Sequence, residues 1–324
     1  MKVLVTGGAG YIGSHTVRKL IENKHEVIIF DNLSRGHIES VPRQAEFEKV
    51  DLLDEEKLNA AIRNYDFDSA IHFAAFAYVG ESVENPAMYY RNNVKGSLNL
   101  ITALKDKGIN KFVFSSTCSV YGNPDRMPIS EDTKTNPINP YARTKLMIEN
   151  ILSDFDDAYG MKYAALRYFN AAGDSDSGEI GESHSPEPHL IPIVMQAALG
   201  LRDKVNIYGG DYPTKDGTCI RDYIHVNDLA DAHIKALEYL NHGGKSDVIN
   251  LGTGDGYSVK EIIDKSREIT GKEIAAEVIA RRAGDPAVLV ADNKKAREVL
   301  GWKPEYGLDK ILKTAWRWHS KPKF

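Results

Sequence analysis

Short, uninterrupted apolar runs alternate with helical stretches through the first half of the chain. Val3–Thr6, Val27–Phe30, Ala70–Phe73 and Phe112–Ser115 lack an alternating polar face and read as strands buried on both sides. Between them Tyr11–Asn23, Glu55–Tyr65 and a long stretch around Val94–Lys107 carry the helical period. Strands alternating with helices of this size predict right-handed crossovers and an α/β, doubly wound parallel sheet of the Rossmann type, covered on both faces. Pro140 suits a first helical turn, so another helix is predicted from there to Tyr159, stopped by Gly160, with Tyr163–Arg167 returning as a strand.

Beyond Ala171 the texture changes. Asp174–Pro188 is rich in Gly, Ser, Glu and Pro and reads as an exposed excursion rather than packed structure. A helix follows over Ile191–Leu199, and Val248–Leu251 is an apolar run of the first-half kind. The pattern predicts a doubly wound unit over 1–170, re-entered near 224–255, and a smaller interleaved α/β unit over 171–324.

Composition narrows the class. At roughly 150 residues per domain, 324 residues suggest about two domains. The 42% apolar and 27% charged fractions are those of a globular protein, which excludes collagen-like and disordered readings. A formal net charge of −5 without a Lys/Arg block argues against nucleic acid or an anionic membrane as partner. No apolar run approaches the ~18 residues of a membrane helix, and Thr6-Gly7-Gly8 ends the first one too soon for a signal peptide. Two cysteines, Cys118 and Cys219, make no disulfide framework and read as free thiols in a reducing, cytoplasmic setting.

The first strand runs directly into Gly7-Gly8-Ala9-Gly10-Tyr11-Ile12-Gly13 and then a helix. Both Gly8/Gly10/Gly13 and Gly7/Gly10/Gly13 registers fit a tight turn whose amides face a pyrophosphate at a helix N-terminus. Asp31, closing the second strand, would accept ribose hydroxyls and repel a 2′-phosphate, so NAD is expected over NADP; Arg35 nearby weakens that preference. Asp51-Leu52 and Phe73-Ala74 close the third and fourth strands at the edge where ligands bind.

Tyr141 and Lys145 lie four apart on one helix face, and Ser115-Ser116-Thr117 ends a predicted strand. Glycine turn, strand-end hydroxyls and Tyr-x-x-x-Lys in this order resemble the extended, sugar-nucleotide branch of the short-chain dehydrogenase/reductase superfamily. The run Gly209–Val226 closely resembles the signature block of the UDP-glucose 4-epimerases. So do Val79–Ser82, Asn92-Asn93-Val94, Arg167–Gly173 and Arg281–Asp285, and the resemblance spans essentially the whole chain.

The resemblance implies an isomerase with tightly bound, recycled NAD that interconverts UDP-galactose and UDP-glucose through a 4-keto sugar. Tyr141 would be the base, Lys145 would lower its pKa and hold the nicotinamide ribose, and Thr117 would hydrogen-bond the reacting oxygen. One cation ~4 Å from the phenol contributes about 4 kcal/mol at an effective dielectric of 20, roughly three pK units. Cofactor contacts implied are Gly7, Gly10, Tyr11, Ile12, Gly13, Asp31, Asn32, Asp51, Leu52, Phe73, Ala74, Asn92, Tyr141, Lys145 and Tyr168. Substrate contacts are Thr117, Tyr141, Asn170, Leu190, Tyr208, Arg221, Arg282, Asp285 and Leu289. The first unit would then bind NAD and the second the UDP-sugar. Ala77 departs from the family, many members having a lysine there that reaches the cofactor phosphates.

Leu289 falls at the family's sugar-pocket gate, where a small residue admits N-acetylated sugars and a Tyr mostly excludes them. UDP-GlcNAc and UDP-GalNAc are therefore expected as further substrates. Alternatives are a 4-epimerase of UDP-xylose or UDP-arabinose, a 4,6-dehydratase, and an idle NAD-sensing regulator. The dehydratase needs a carboxylate pair just after Thr117, where Cys118-Ser119 stand. Met147, Ile148, Ile151, Leu152 and Phe155 form a stripe that is either core or, as the family suggests, the face of a homodimeric four-helix bundle. His184 and His189 flank Ser185–Pro188 with no further His or Cys nearby; a loop pair and no metal are expected.

Overall fold

The computed structural model describes residues 1–282 and 285–324, so Ala283 and Gly284 of the Arg281–Asp285 block lie outside the described residues. Strands are β1 (Lys2–Thr6), β2 (Glu26–Asp31), β3 (Glu46–Lys49), β4 (Ser69–His72), β5 (Lys111–Thr117), β6 (Lys162–Tyr168), β7 (Asn170–Ala172), β8 (Val205–Tyr208), β9 (Ile220–Arg221), β10 (Tyr223–His225), β11 (Asp247–Leu251), β12 (Tyr257–Ser258), β13 (Ala276–Ile279) and β14 (Val288–Leu289). Helices are α1 (Tyr11–Glu22), α2 (Glu55–Asn64), α3 (Val79–Glu84), α4 (Pro86–Tyr89), α5 (Gly96–Asp106), α6 (Pro140–Tyr159), α7 (Leu190–Ala198), α8 (Val226–Asn241), α9 (Val259–Thr270), α10 (Lys294–Leu300) and α11 (Leu308–Ser320).

Seven strands make one parallel sheet in the order β11-β6-β5-β4-β1-β2-β3. The chain winds outward from β1 to β3, then returns to β4 on the other side. The crevice at the carboxyl ends of β1 and β4 is thus the topological switch point where ligands bind in such sheets.

Alternation along β1 feeds two cores. Val3 and Val5 join Val17 and Leu20 of α1 and Leu229 and Leu237 of α8; Leu4 joins residues of α2, α5 and α6 on the opposite face. Burial on both faces is why these strands read as unbroken apolar runs. The third core lies apart, where α7, α9 and α11 pack with the short strands of the second half.

Three details depart from the sequence reading, and one bears on an alternative it left open. The third strand, Glu-Phe-Glu-Lys at the sheet edge, ends at Lys49, short of Asp51. The helical path predicted near Val94 begins at Pro86 and passes through a π-helical segment, Tyr90–Lys95, before α5. The stripe on α6 is mainly core: Ile148 and Leu152 are fully buried, Ile151 and Phe155 pack on the same cluster, and only Met147 is exposed. Asp174–Pro188 is not an open excursion either. Asp174, Ile180 and Glu182 are buried, Glu182 N donates to Asp174 Oδ1 at 2.6 Å, and Trp318 Nε1 donates to Glu182 O at 2.9 Å. Polar contacts hold this segment, so no hydrophobic period marks it.

Candidate active site

The glycine turn resolves its register through backbone contact. Gly7 has φ +73°, and a Cβ there would sit 2.5 Å from Ala74 N. A Cβ at Gly13 would sit 2.1 Å from Gly7 O, whereas at Gly8 it would meet only the side chains of Ile29 and Val17. Gly7 and Gly13 are therefore demanded by the backbone itself, while a Cβ at Gly10 would stand 3.3 Å from Gly7 O. Gly10 caps α1, so Tyr11 and Ile12 open the helix at the switch point. Phe73 and Ala74 lie against the same turn, both amides donating to Thr6 O.

Asp31 is buried and accepts from Ala9 N at 3.0 Å and Leu33 N at 2.8 Å. Burial pushes its pKa up, partly offset by those amides. Asn32 Nδ2 donates to Asp51 Oδ2 at 3.2 Å, joining two of the expected contacts. Arg35 pairs with Glu81 at 2.6 Å and stacks on Phe76 and Tyr78. An arginine so engaged no longer competes with Asp31 in setting preference for the ribose hydroxyls. The cradle of bare glycines and the carboxylate beyond it fit NAD.

The π segment adds a feature the sequence pattern missed. Asn92 donates to Asn93 Oδ1 at 3.0 Å, and buried Asn93 holds Phe76 N and O and Thr144 Oγ1. It ties the Phe76–Tyr78 segment, which includes exposed Ala77, to α6.

Thr117 closes β5, Tyr141 and Lys145 occupy successive turns of α6, and all three are buried. Asn139 caps α6 by accepting from Ala142 N, which fixes where the tyrosine leaves the helix. Lys145 Nζ donates to Ser115 O at 2.7 Å, and Ser115 Oγ bonds the Tyr168 hydroxyl at 2.7 Å. Burial lowers Lys145 to about 7, with Glu149 pulling upward. Tyr141 is pushed well above its ordinary value by burial, then by Tyr168, while the Thr117 hydroxyl pulls it down. The expected lowering of the phenol by Lys145, helped by an oxidised nicotinamide ring, therefore has to act against burial. The Lys145 ammonium lies 6.0 Å from the centre of the Tyr141 ring.

Sequence reasoning also missed what braces this helix. Glu149, four residues past Lys145, accepts from Ser116 Oγ at 2.5 Å and takes Arg167 on both oxygens. Arg167 NH1 donates to Tyr121 OH at 3.0 Å, and Tyr121 OH donates to Asn250 Oδ1 at 2.7 Å. The available signal was Glu149 on the face of α6 that carries Tyr141 and Lys145.

The remaining expected residues converge from the second half. Asn170 donates from its side chain to Asp222 O at 2.9 Å. Arg221 pairs with Asp285 at 2.5 Å, and Arg282 stacks over the Tyr208 ring at 3.8 Å. Leu190 is the first residue of α7. Leu289 pairs with Arg221 across β14 and β9 and packs on the cluster of Val120, Phe169 and Cys118, beside the strand end that carries Thr117. Burial raises the Cys118 thiol to about 12, which suits an inert side chain.

The profile of the NAD dependent epimerase/dehydratase family matches residues 3–252. The UDP-glucose 4-epimerase of Halalkalibacterium halodurans is 50% identical over 322 residues, covering 99% of this chain and 96% of that one. A UDP-glucose 4-epimerase from Brucella ovis, solved in complex with NAD, superposes with a TM-score of 0.95 at 50% identity, covering 97% of each chain. The UDP-Glc/GlcNAc 4-epimerase of Campylobacter jejuni superposes with a TM-score of 0.88 at 43% identity, covering 99% of each. On the family match over residues 3–252 and the identity to UDP-glucose 4-epimerases along nearly its whole length, this chain belongs to the NAD dependent epimerase/dehydratase family, among its UDP-glucose 4-epimerases.

Proposed function

We propose that the chain interconverts UDP-galactose and UDP-glucose at the cleft between the large sheet and its second half. The carrying observation is the meeting of Thr117, Tyr141 and Lys145 at one strand end with Arg221 and Leu289 alongside. Bound NAD supplies the acceptor and donor of the C4 hydride. Tyr141 takes the proton of the sugar 4-hydroxyl, Thr117 holds that oxygen, and Lys145 supplies positive charge beside the phenol. Arg221 and Arg282 are suited to the diphosphate, since a guanidinium pairs two oxygens at once. The proposal includes the division near residue 170 into an NAD-binding and a UDP-sugar-binding part.

Incubating the purified protein with UDP-galactose and no added nucleotide should yield UDP-glucose. A product that appears only with added NADP, or a 4-keto-6-deoxy sugar, overturns the assignment. A broader range, including the N-acetylated UDP-sugars, is supported by Leu289 and by the name of the Campylobacter relative. A homodimer through α5 and α6 is part of the reading, supported by exposed Leu98 and Met147 on those helices. Cytoplasmic residence is supported by the two free cysteines. Among the described residues no helix is long and apolar enough to cross a membrane.

A further inference from the structure

The segment before α7 carries four side chains that the epimerase chemistry leaves unused. Glu182, His184, Glu187 and His189 each offer one ligand atom, and these atoms all lie within 4.8 Å of one another. Glu182 Oε1 is 3.3 Å from His184 Nδ1 and 2.7 Å from His189 Nδ1. Glu187 Oε2 is 3.5 Å from His184 Nδ1, and its Oε1 is 3.0 Å from His189 Nδ1. A tetrahedral ion with bonds of ~2.0–2.1 Å to nitrogen and oxygen has ligand–ligand edges of roughly 3.3–3.4 Å. The two His184 distances match that value, while those of His189 are hydrogen-bond lengths that an entering ion would have to open by a few tenths of an ångström.

A second observation points inward. His184 Nδ1 is out of reach of solvent and forms no hydrogen bond, although two carboxylates stand beside it. That nitrogen is an unpaired, buried ligand atom between two carboxylates. The carboxylates are almost wholly buried, at 4% and 3% side-chain exposure, and the rings of Tyr11 and Tyr78 stand edge-on to His184.

We propose that Glu182, His184, Glu187 and His189 form a binding site for one zinc-like divalent cation. Two carboxylates and two neutral imidazoles balance a 2+ charge, and imidazole with carboxylate is a donor set that zinc accepts. Four protein ligands leave no open position, so the site is structural. Its consequence is mechanical. The ion clips the segment after Gly173, which Tyr11 already grips through a hydrogen bond from its hydroxyl to Gly173 O, against the glycine turn. The competing occupants are protons, since two imidazoliums facing the same carboxylates give the same net charge.

The test strips the purified full chain with a chelator, dialyses it against zinc or cobalt(II), removes free metal and measures bound metal by elemental analysis. The wild type should retain about one ion per chain, show the visible absorption of four-coordinate cobalt, and unfold at a higher temperature with zinc than without. His184→Gln and Glu182→Gln should each abolish retention and the thermal shift. A folded wild type that retains neither metal overturns the site, and so does equal retention by the variants. Turnover of UDP-galactose in the same samples keeps this outcome separate from the epimerase assignment: active protein without metal removes the site alone.

Discussion

Burial acts in opposite directions on the two groups that must share a proton. It raises the Tyr141 phenol and lowers Lys145 to about 7. The positive charge that releases the phenol's proton therefore has to be completed by what binds in the cleft. Tyr141→Phe retains the ring and the packing, so turnover of UDP-galactose should fall by roughly 10²–10⁴-fold while UDP-sugar binding, followed by calorimetry, persists. Near-normal turnover would remove Tyr141 from the base's role. Leu289→Tyr places a ring beside Cys118 and Phe169, at the strand-end cluster. Loss of a clash-free pocket should suppress UDP-GlcNAc turnover by at least the ~10–200-fold of a small pocket change, leaving UDP-glucose turnover largely intact. Absence of any UDP-GlcNAc turnover in the wild type would refute the broader range.

Helix α6 works as a lever whose fulcrum is buried charge. Arg167 and Glu149 are each about 5% exposed, and neither has water to turn to if its partner is lost. Glu149→Gln should cost about 3–5 kcal/mol in urea denaturation, because the guanidinium is left uncompensated. The double variant Glu149→Gln with Arg167→Met should recover much of that loss; strict additivity of the two single effects would argue against a coupled pair. Elements of this kind divide what could be read from sequence. β1, β2, β4 and β5 announced themselves because both faces are apolar. By contrast, β3 is polar, and the π segment keeps a helical pattern while changing only its hydrogen-bond register. The same limit applied at the site. Tyr141, Lys145 and the glycine turn follow from local spacing, whereas Glu149–Arg167 and the cluster before α7 depend on contacts that spacing does not encode.

For the molecule as a whole, several histidines sit neutral in the interior. His72 and His225 are held at about 3, and His15 and His233 at about 4, burial being the largest cause in each. Each folded value lies below the ordinary 6.5, so the unfolded chain takes up protons first. The stability they support is complete above pH 6.5 and is lost as pH falls toward the folded values. Asp228, raised to about 6 by burial, opposes part of this between that value and its ordinary 3.8. His72 is bonded to Thr6 and Ser97 and faces the charge of Lys145. Removing its term with His72→Asn should flatten the drop in unfolding free energy between pH 7 and pH 5 by about 2 kcal/mol, measured with urea at each pH. An unchanged slope would mean that His72 takes up its proton without unfolding.

The place of β11 beside β6 sets a timetable for synthesis. β6 ends at Tyr168 and its outer neighbour starts at Asp247, so the ribosome must add 247 − 168 = 79 positions before that edge can be covered. At ~5–20 residues per second the wait is roughly 4–16 s. Through that interval the nascent chain presents the open backbone edge of β6, a row of unpaired amides and carbonyls that invites another strand. A fragment ending at residue 244, which keeps α8 but lacks β11, should accordingly precipitate or bind chaperones on expression, while one extended through residue 255 should be markedly more soluble, as judged by fractionation of cell lysates. Equal solubility of the two would show that the late strand is not what protects the early ones.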